Sequence, residues 1–494
     1  MMKLILKVSL AVAIIFGTAT WADWQPQEEN WYGVTIDGAK SGWVKEVIET
    51  DGNLIRTSKT QEMTLSRGGI VISIKMATEF IETSDGKPVS VKSTQEAMGQ
   101  SSETTWVFKK DNIEMTSVAG GTPILKAIDL PESNWLTPQG VRRLFVSKLK
   151  DGVDEITYQT MSPEIGPKVV TIMMKKLGAE DQDILGETVP VTIWETSNDI
   201  MPMVGTETYT NDGIGVESKM DAGIGIFQST IMSQHEAMSP LNEIPELMVS
   251  LFVEPNVPIQ NDASQRELTL KVKTKDKSKL SLPTTGSQRA TAQDDGSVIL
   301  NINLDAPAEA TEAELNNKEY LAATALCDGT DRAVAAIAAE AIEDLPEGAS
   351  DLDKALALRS KVFTYISDKN MSTAFASASQ TARDKKGDCS EHGVLLCGLL
   401  RSIGIPSRGV MGMVYVPDFY AENGVFAWHM WSQALIDGKW IDLDATLQLP
   451  YTVGHIATTT TSLSDDAFAA EMGGLFATIG NLEVEVVTDD INSP

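Results

Sequence analysis

The segment from Cys389 to Thr446 constrains the fold of this chain more than any other. Near its start is a dense apolar run, Val394 to Leu400, which is followed by Gly404 and Pro406. A run of this kind with a glycine stop and a proline beyond it predicts a buried helix that ends near residue 402. Strand-like residues follow, at 409–416. The segment therefore predicts a helix packed against a sheet.

Cys389 lies at the first turn of the predicted helix, directly after Gly387 and Asp388. Free backbone N–H groups and the positive end of the helix dipole favour a thiolate at this position. Asp388 is suited to cap the helix, and the same N–H groups could hold the oxyanion of an acyl-transfer reaction. Cys389 is therefore the candidate nucleophile. The alternative is that its thiol is a buried structural group.

A predicted hairpin downstream supplies two partners for this sulfur. Asp437-Gly438 is a strong two-residue turn signal between alternating runs. Counting outward from the turn places His429 diagonally from Asp444, at roughly 7–8 Å between backbones. Asp442 is one step further away. The register thus selects Asp444 as the carboxylate that orients the imidazole, and a one-residue slip would separate the pair.

Other side chains in the same segment are accessory candidates. Trp431 shares the predicted face of His429 and could wall an acyl-binding channel. His392 is predicted to pack on the helix or to support the site from behind, and Asp442 is predicted to be a solvated or supporting carboxylate. The simpler alternatives are that His429 only packs between tryptophans and that Asp444 caps the next turn. The chemistry requires no metal or cofactor, and no Cys/His spacing indicates zinc.

Four blocks of this segment resemble the bacterial branch of the transglutaminase-like superfamily. The blocks are residues 387–392, 399–408, 429–431 and 440–446, in this order and at suitable spacing. The resemblance spans residues 320–460 and implies a papain-related α+β core. It also implies Cys389 as nucleophile, His429 as base and Asp444 as orienting group. The reaction stays open, because that superfamily includes cross-linking transferases, peptidases, deamidases and inactive members.

The chain before this core has the pattern of antiparallel β structure. Alternating strands and turn signals run from residue 23 to 131, and a second β-rich part follows at 132–250. The sequence leaves open whether the two parts form one sheet or two. Residues 251–316 are predicted as a linker with short strands, and 317–494 as the catalytic domain. The predicted fold class is α+β, with a papain/transglutaminase-like catalytic domain after a large antiparallel β region.

Several local predictions concern the linker and the catalytic domain. Strands are predicted in the linker at Glu267–Thr274, Lys279–Pro283 and Ser297–Asn303. Residues 371–386 are predicted to be a polar connection into the nucleophile helix, and 464–479 to be a helix.

Residues 1–22 have the pattern of a secretory signal peptide. Lys3 and Lys7 precede a short apolar core, Val8 to Phe16, and small residues suited to cleavage follow. The core is too short for a spanning helix, and no later run could span a bilayer. We therefore expect a protein secreted across the inner membrane, in a periplasm or outside the cell.

Composition narrows the function further. A net charge of −29 over 494 residues argues against nucleic-acid binding, which requires clustered Lys and Arg. Three cysteines occur. With Cys389 set aside as reactive, Cys327 and Cys397 could pair in an oxidising compartment, although burial as small apolar residues is the preferred interpretation.

Two functions fit this sequence. The first is an extracytoplasmic thiol-dependent acyl-transfer enzyme that acts on protein or peptide amides, as a peptidase or deamidase more than as a cross-linking enzyme. The second is a non-catalytic binding or scaffold protein of the cell envelope that keeps the fold. In either case the β region could bind an unknown envelope partner. The intact Cys, His and Asp favour the enzyme.

Overall fold

The computed structural model describes residues 24–487, except 68, 99, 164–165, 201–203, 224, 247–250, 261, 371–375, 450, 466–474 and 476–477. The expected signal peptide, residues 1–22, lies outside the described residues, as does most of the helix predicted at 464–479. Within the described part of the chain, no helix is both long and apolar enough to cross a membrane.

A fourteen-stranded antiparallel sheet forms the N-terminal half of the described chain. Its strands are β1 (Gln25–Ile36), β2 (Ala39–Asp51), β3 (Leu54–Arg67), β4 (Ile70–Thr83), β5 (Pro88–Ala97), β6 (Gln100–Phe108), β7 (Asn112–Val118), β8 (Ile124–Asp129), β9 (Glu155–Met161), β10 (Val169–Ile184), β11 (Glu187–Asn198), β12 (Val204–Thr210), β13 (Gly215–Asp221) and β14 (Ile226–Met232). Helix α1 (Pro138–Lys150) separates β8 from β9. The two β segments belong to one sheet, because the second half of β1, from Trp31 to Ile36, pairs with β14.

The two wings of this sheet contribute side chains to a shared core. Phe80, Trp106 and Met115 from one wing pack with Met161 of β9 from the opposite edge. A short parallel bridge between Leu136 and Thr160 adds a backbone contact at the same place. Long alternating strands joined by tight turns produce this curvature, because twist accumulates over many strands.

The C-terminal half contains the remaining elements of the described chain. They are α2 (Gln234–Ala237), β15 (Glu267–Thr274), β16 (Gln288–Ala292), β17 (Val298–Asn303), α3 (Glu312–Leu315), a 3₁₀ turn (Lys318–Tyr320), α4 (Arg332–Ile342), α5 (Asp351–Tyr365), α6 (Ala378–Asp384), α7 (Cys389–Ser402), β18 (Ser407–Val416), β19 (Val425–Ile436), β20 (Lys439–Leu443), β21 (His455–Thr461) and β22 (Leu482–Val486). The large antiparallel β region and the mixed C-terminal unit together confirm the predicted α+β class.

Two four-stranded sheets pack on each other in this half. One has the order β16-β17-β15-β22 and the other β20-β19-β18-β21. Leu270 and Leu300 from the first sheet share a buried core with Met413, Phe426 and Ile456 from the second sheet. Burying each such side chain stabilises the fold by about 1.5–3 kcal/mol. Residues 251–316, predicted as a linker, therefore form part of the packed C-terminal unit.

The strand predicted at Lys279–Pro283 is wrong, and β16 takes its place in the sheet. Leu280 and Leu282 are both buried in the core beside the sheet, which explains the alternating pattern that indicated a strand. An extended segment with one side buried has apolar residues at every second position, whether or not its backbone is hydrogen-bonded to a neighbouring strand.

Helices α4 to α7 cover the other face of the second sheet. Helix α7 is buried on all sides from Ser390 to Arg401, because it packs on β19 and is enclosed by α4, α5 and α6. The polar connection predicted at 371–386 contains the short helix α6. The apolar run that predicted a central helix therefore lies at the middle of the C-terminal unit, with its N-terminus at Cys389.

Candidate active site

Cys389 is the first residue of α7, and the turn before it is tightly fixed. The Asp388 side chain accepts a 3.0 Å hydrogen bond from the backbone N–H of Ser390, while the backbone N–H of Asp388 donates to Glu391 at 2.9 Å. Gly387 has φ +147°, and a Cβ there would lie 2.4 Å from that of Glu391. The predicted cap is confirmed, and it holds the partly exposed thiol at the positive end of the helix dipole.

Helix α7 is fastened to the strand that carries the imidazole. The Ser432 hydroxyl on β19 donates a 2.9 Å hydrogen bond to the carbonyl oxygen of Gly393 on α7. Since both groups are buried, this bond fixes the helix relative to β19. Cys389 is four residues before Gly393 on α7, and His429 is three residues before Ser432 on β19. The distance between the thiol and the imidazole is therefore set by two rigid elements.

His429 contacts both the thiol and a carboxylate. Its Nε2 donates a 2.8 Å hydrogen bond to Oδ2 of Asp444, and its side chain also hydrogen-bonds with Cys389. Because Nε2 is taken by Asp444, the nitrogen next to the sulfur is Nδ1. Burial alone lowers the pKa of His429, but the charge and hydrogen bond of Asp444 and the hydrogen bond with Cys389 raise it to about 10.

Asp444 is fully buried and accepts hydrogen bonds on both oxygens. Besides His429, Oδ2 faces Nε2 of His455 at 3.1 Å, and Oδ1 accepts from the backbone N–H groups of Thr446 at 2.7 Å and Leu447 at 3.4 Å. Burial raises the pKa of Asp444, but the charge and hydrogen bonds of His429 and His455 hold it well below its usual range. The carboxylate is therefore anionic.

The hairpin register places this carboxylate where the sequence predicted it. Ile436 pairs with Lys439 across the two-residue turn, and Asp437 and Gly438 both have positive φ, as a type I′ turn requires. Strand β20 ends at Leu443, so Asp444 begins a loop. Arg359 of α5 braces that loop by donating to the carbonyl oxygens of Asp444, at 2.6 Å, and of Leu447.

Asp442 and Trp431 form a pair behind the imidazole. The indole N–H of Trp431 donates to Asp442 at 3.0 Å, and the ring stacks on His429 with centroids 6.3 Å apart. Trp431 is 1% exposed, so in this conformation it supports His429 from behind and does not face an open channel. Gln433 and the backbone N–H of Ser287 also donate to Asp442. This carboxylate is buried, contrary to the solvated alternative.

His392 is buried inside the helix packing. Its Nδ1 lies 2.6 Å from the carbonyl oxygen of Asp388, one turn earlier on α7. Burial, partly offset by that hydrogen bond, lowers the pKa of His392 to about 4. His392 is thus a neutral residue that contacts the turn before Cys389, and the supporting role predicted for it stays a prediction.

His455 belongs to the same cluster, although the sequence reasoning assigned it no role. It lies on β21 and is 0% exposed. The signal that could have revealed it is a histidine on a strand-like segment shortly after Asp444. Ring nitrogens of His429 and His455 and a carboxylate oxygen of Asp444 lie within 4.8 Å of one another and could ligate a metal ion. A metal there would replace the two hydrogen bonds that these side chains already make.

Cys327 and Cys397 are both free thiols and are 0% exposed. Both lie in the apolar core around α7. This agrees with the prediction that they are buried as small apolar residues. Burial raises the pKa of the Cys327 thiol to about 12 and also raises that of Cys397. Neither thiol is therefore a reactive thiolate at neutral pH, which leaves Cys389 as the accessible thiol among the three cysteines.

Together these contacts form a relay of thiol, imidazole and carboxylate. A protonated imidazole beside the sulfur stabilises the thiolate by charge. The backbone N–H of Cys389 lies in the first turn of α7, where helical N–H groups have no intrahelical acceptor, and N–H groups in that position can donate to a developing oxyanion. The arrangement is suited to nucleophilic attack on a carbonyl carbon.

Comparison with known proteins gives a family match over this region. Residues 339–445 match the transglutaminase-like superfamily, a stretch that includes Cys389, His429 and Asp444. No curated protein sequence shows a significant match to the chain.

Three solved structures show a distant likeness to the chain. A β-barrel-like protein of a domain of unknown function from Brucella abortus has 10% identity and a TM-score of 0.33, covering 42% of this chain and 95% of its own. A candidate cysteine protease from Cytophaga hutchinsonii has 14% identity and a TM-score of 0.29, covering 46% and 90%. A candidate protease from Parabacteroides distasonis has 11% identity and a TM-score of 0.19, covering 74% and 68%. These TM-scores are too low to assign a function.

Proposed function

We propose that this protein is an extracytoplasmic thiol enzyme that cleaves protein or peptide amides through an acyl-thioester on Cys389. The observation that carries the proposal is the hydrogen-bonded series from Cys389 to His429 to Asp444, with its sulfur at the N-terminus of α7. The match to the transglutaminase-like superfamily over the same residues supports it.

The chemistry follows from the protonation states of these groups. The Cys389 thiolate attacks the amide carbonyl carbon and forms a C–S bond, while the oxyanion develops next to the helix N-terminus. Protonated His429 gives its Nδ1 proton to the leaving nitrogen as the C–N bond breaks. Neutral His429 then takes a proton from water, whose oxygen attacks the thioester and releases the thiolate. Asp444 keeps Nε2 protonated throughout.

Hydrolysis is the outcome we favour over transfer to an amine. Water is always available to the thioester, so cross-linking would require a site that binds a lysine side chain or another amine in preference to water. The extracytoplasmic location rests on the pattern of residues 1–22. The same location would give the enzyme envelope proteins or peptides as substrates.

The test uses the full chain and a mixed peptide library, with products identified by mass spectrometry in heavy-oxygen water. We expect new carboxyl groups that carry the heavy oxygen, and fewer products that incorporate an added primary amine. Cys389→Ala should abolish both kinds of product. Cys397→Ala, a buried thiol on the same helix, is the matched control and should retain them. The proposal would be contradicted if no product depended on Cys389 and if the Cys389 thiol reacted no faster than free cysteine.

A further inference from the structure

His455 is a buried histidine that the mechanism above does not use. Its Nε2 lies 3.1 Å from Oδ2 of Asp444, and the same oxygen accepts the 2.8 Å hydrogen bond from His429. Two imidazoles therefore share one carboxylate oxygen. Because a carboxylate can only accept, each Nε2 that bonds to it must carry a proton.

Strand β18 brings the two histidines together from opposite sides. His429 on β19 pairs with Gly412 of β18, and His455 on β21 pairs with Val414, two residues further along. A bulge in the β18–β21 ladder lies at Gly412, where a Cβ would be 1.9 Å from the carbonyl oxygen of Ile456. Glycine thus permits the close approach of the strands, and the two imidazole rings lie 6.0 Å apart.

The other nitrogen of His455 faces Thr452, which offers both kinds of partner. Nδ1 lies 3.1 Å from the carbonyl oxygen of Thr452 and 3.2 Å from its hydroxyl. A neutral His455 can accept from the hydroxyl, and a cationic one can donate to the carbonyl. In either state Nε2 keeps its proton and its bond to Asp444, so this contact does not depend on the charge of His455.

The ring of His455 is also fixed by aromatic contacts. Tyr451 stacks on it with centroids 4.2 Å apart, and Trp431 meets it edge to face at 5.2 Å. Trp431 in turn stacks on His429. The ring is therefore held by two aromatic neighbours as well as at both nitrogens.

We propose that His455 is a positioning residue that fixes the rotation of the Asp444 carboxylate, so that Oδ2 stays directed at His429. The terminal torsion of an aspartate is broad, and the backbone N–H groups of Thr446 and Leu447 restrain only Oδ1. A second hydrogen-bond donor to Oδ2, from His455, restricts the rotation of the carboxylate that remains. This inference rests on the proposed function, because it concerns the carboxylate that orients the base.

Several titratable groups besides His429 and His455 act on this carboxylate or on the rings around it. From the elements packed against the cluster they are Arg359, Lys369, Cys389, His392, Asp442 and Tyr451. The variants below leave all six unchanged, so a shift in the titration of His429 reports the loss of His455 itself.

The test measures the rate of Cys389 alkylation by iodoacetamide as a function of pH, with mass spectrometry of the Cys389 peptide as the readout. For the unaltered chain we expect a profile with an upper inflection where His429 loses its proton. His455→Phe retains a ring between Tyr451 and Trp431 but removes both hydrogen bonds. His455→Gln retains an N–H donor for Asp444 and an acceptor or donor for Thr452, without the ring.

We expect His455→Phe to lower the upper inflection by about 0.7 pH unit, since a hydrogen bond contributes about 1 kcal/mol and one pKa unit corresponds to about 1.4 kcal/mol. His455→Gln should restore at least half of that shift. A merely structural role would lower the melting temperature of His455→Phe and leave the inflection in place. An unchanged or raised inflection in a folded His455→Phe would overturn the inference.

The proposed function fails separately. If His429→Ala leaves the alkylation profile of the otherwise unchanged chain as it was, Cys389 is not paired with His429 and the enzyme proposal is refuted. If His429→Ala and Asp444→Asn alter the profile but the His455 variants do not, only the inference about His455 is refuted.

Discussion

Replacing Asp444 by asparagine should damage the site far more than the same change at Asp442. Oδ2 of Asp444 accepts from two imidazole Nε2 atoms. The side-chain amide of the new asparagine could direct its oxygen to the backbone N–H of Thr446. Its NH₂ group would then face the Nε2–H groups of His429 and His455, and two N–H groups cannot hydrogen-bond to each other. His429 would have to give up its Nε2 proton or turn away, and in both cases the imidazolium beside Cys389 is lost.

The magnitude follows from the bond that is removed. A hydrogen bond to a charged partner contributes about 1.5–3 kcal/mol, so Asp444→Asn should slow alkylation of Cys389 at neutral pH by about 10- to 100-fold. Asp442 touches Trp431, Gln433 and Ser287 but not His429. Burial raises the pKa of Asp442 in spite of these hydrogen bonds. Asp442→Asn disturbs these contacts but leaves the hydrogen bond between His429 and Asp444 in place. We expect less than about threefold loss, which corresponds to under about 0.7 kcal/mol.

The assay is iodoacetamide alkylation followed peptide by peptide, with Cys327 and Cys397 as internal controls. Both are fully buried, so their protection shows that each variant is folded. Equal rates for Asp444→Asn and Asp442→Asn, in folded proteins, would refute the reasoning from the hairpin register.

Three further predictions concern the surroundings of the site. Because burial lowers the pKa of His392 from its usual value of 6.5 to about 4, its contribution to stability is present above pH 6.5 and is lost as the pH falls towards 4. Urea unfolding of His392→Asn should therefore show a weaker loss of stability over that range, and an unchanged pH dependence would contradict this. Leu300→Ala should lower the free energy of unfolding of the C-terminal unit by about 2–5 kcal/mol, while Leu125→Ala at a side chain that is 78% exposed should not; a second, unaffected transition would show that the fourteen-stranded sheet unfolds separately. Gly412→Ala should lower the melting temperature, since its Cβ would lie 1.9 Å from a backbone oxygen, whereas Gly178→Ala, with no atom within 4 Å, should be nearly neutral.

The parts of the site that the sequence predicted depend on local signals. A turn with positive φ at Asp437 and Gly438 sets the hairpin register. The register alone predicts that Asp444, and not Asp442, is the carboxylate next to His429. The N-cap at Asp388 and the end of α7 likewise follow from a few adjacent residues. The roles assigned to Cys389, His429 and Asp444 stay predictions until their chemistry is measured.

The parts that the sequence missed depend on contacts between distant segments. His455 reaches Asp444 only because β21 pairs with β18 across a bulge at Gly412, and no local pattern records that pairing. Similarly, β22 joins β15 more than two hundred residues earlier in the chain, which makes the supposed linker part of a sheet. A pattern of buried leucines cannot distinguish such a strand from a loop over a core, as Leu280 and Leu282 illustrate.

The most direct test of the central claim is to look for an acyl group on the sulfur. The full chain is mixed with p-nitrophenyl acetate, quenched in acid within the first turnover and digested for mass spectrometry. We expect one acetyl group on the Cys389 peptide, its loss on longer incubation, and much slower loss in His429→Ala. Acetylation spread over lysines with none on Cys389, or an acetyl group on Cys389 that leaves equally fast without His429, would contradict the account.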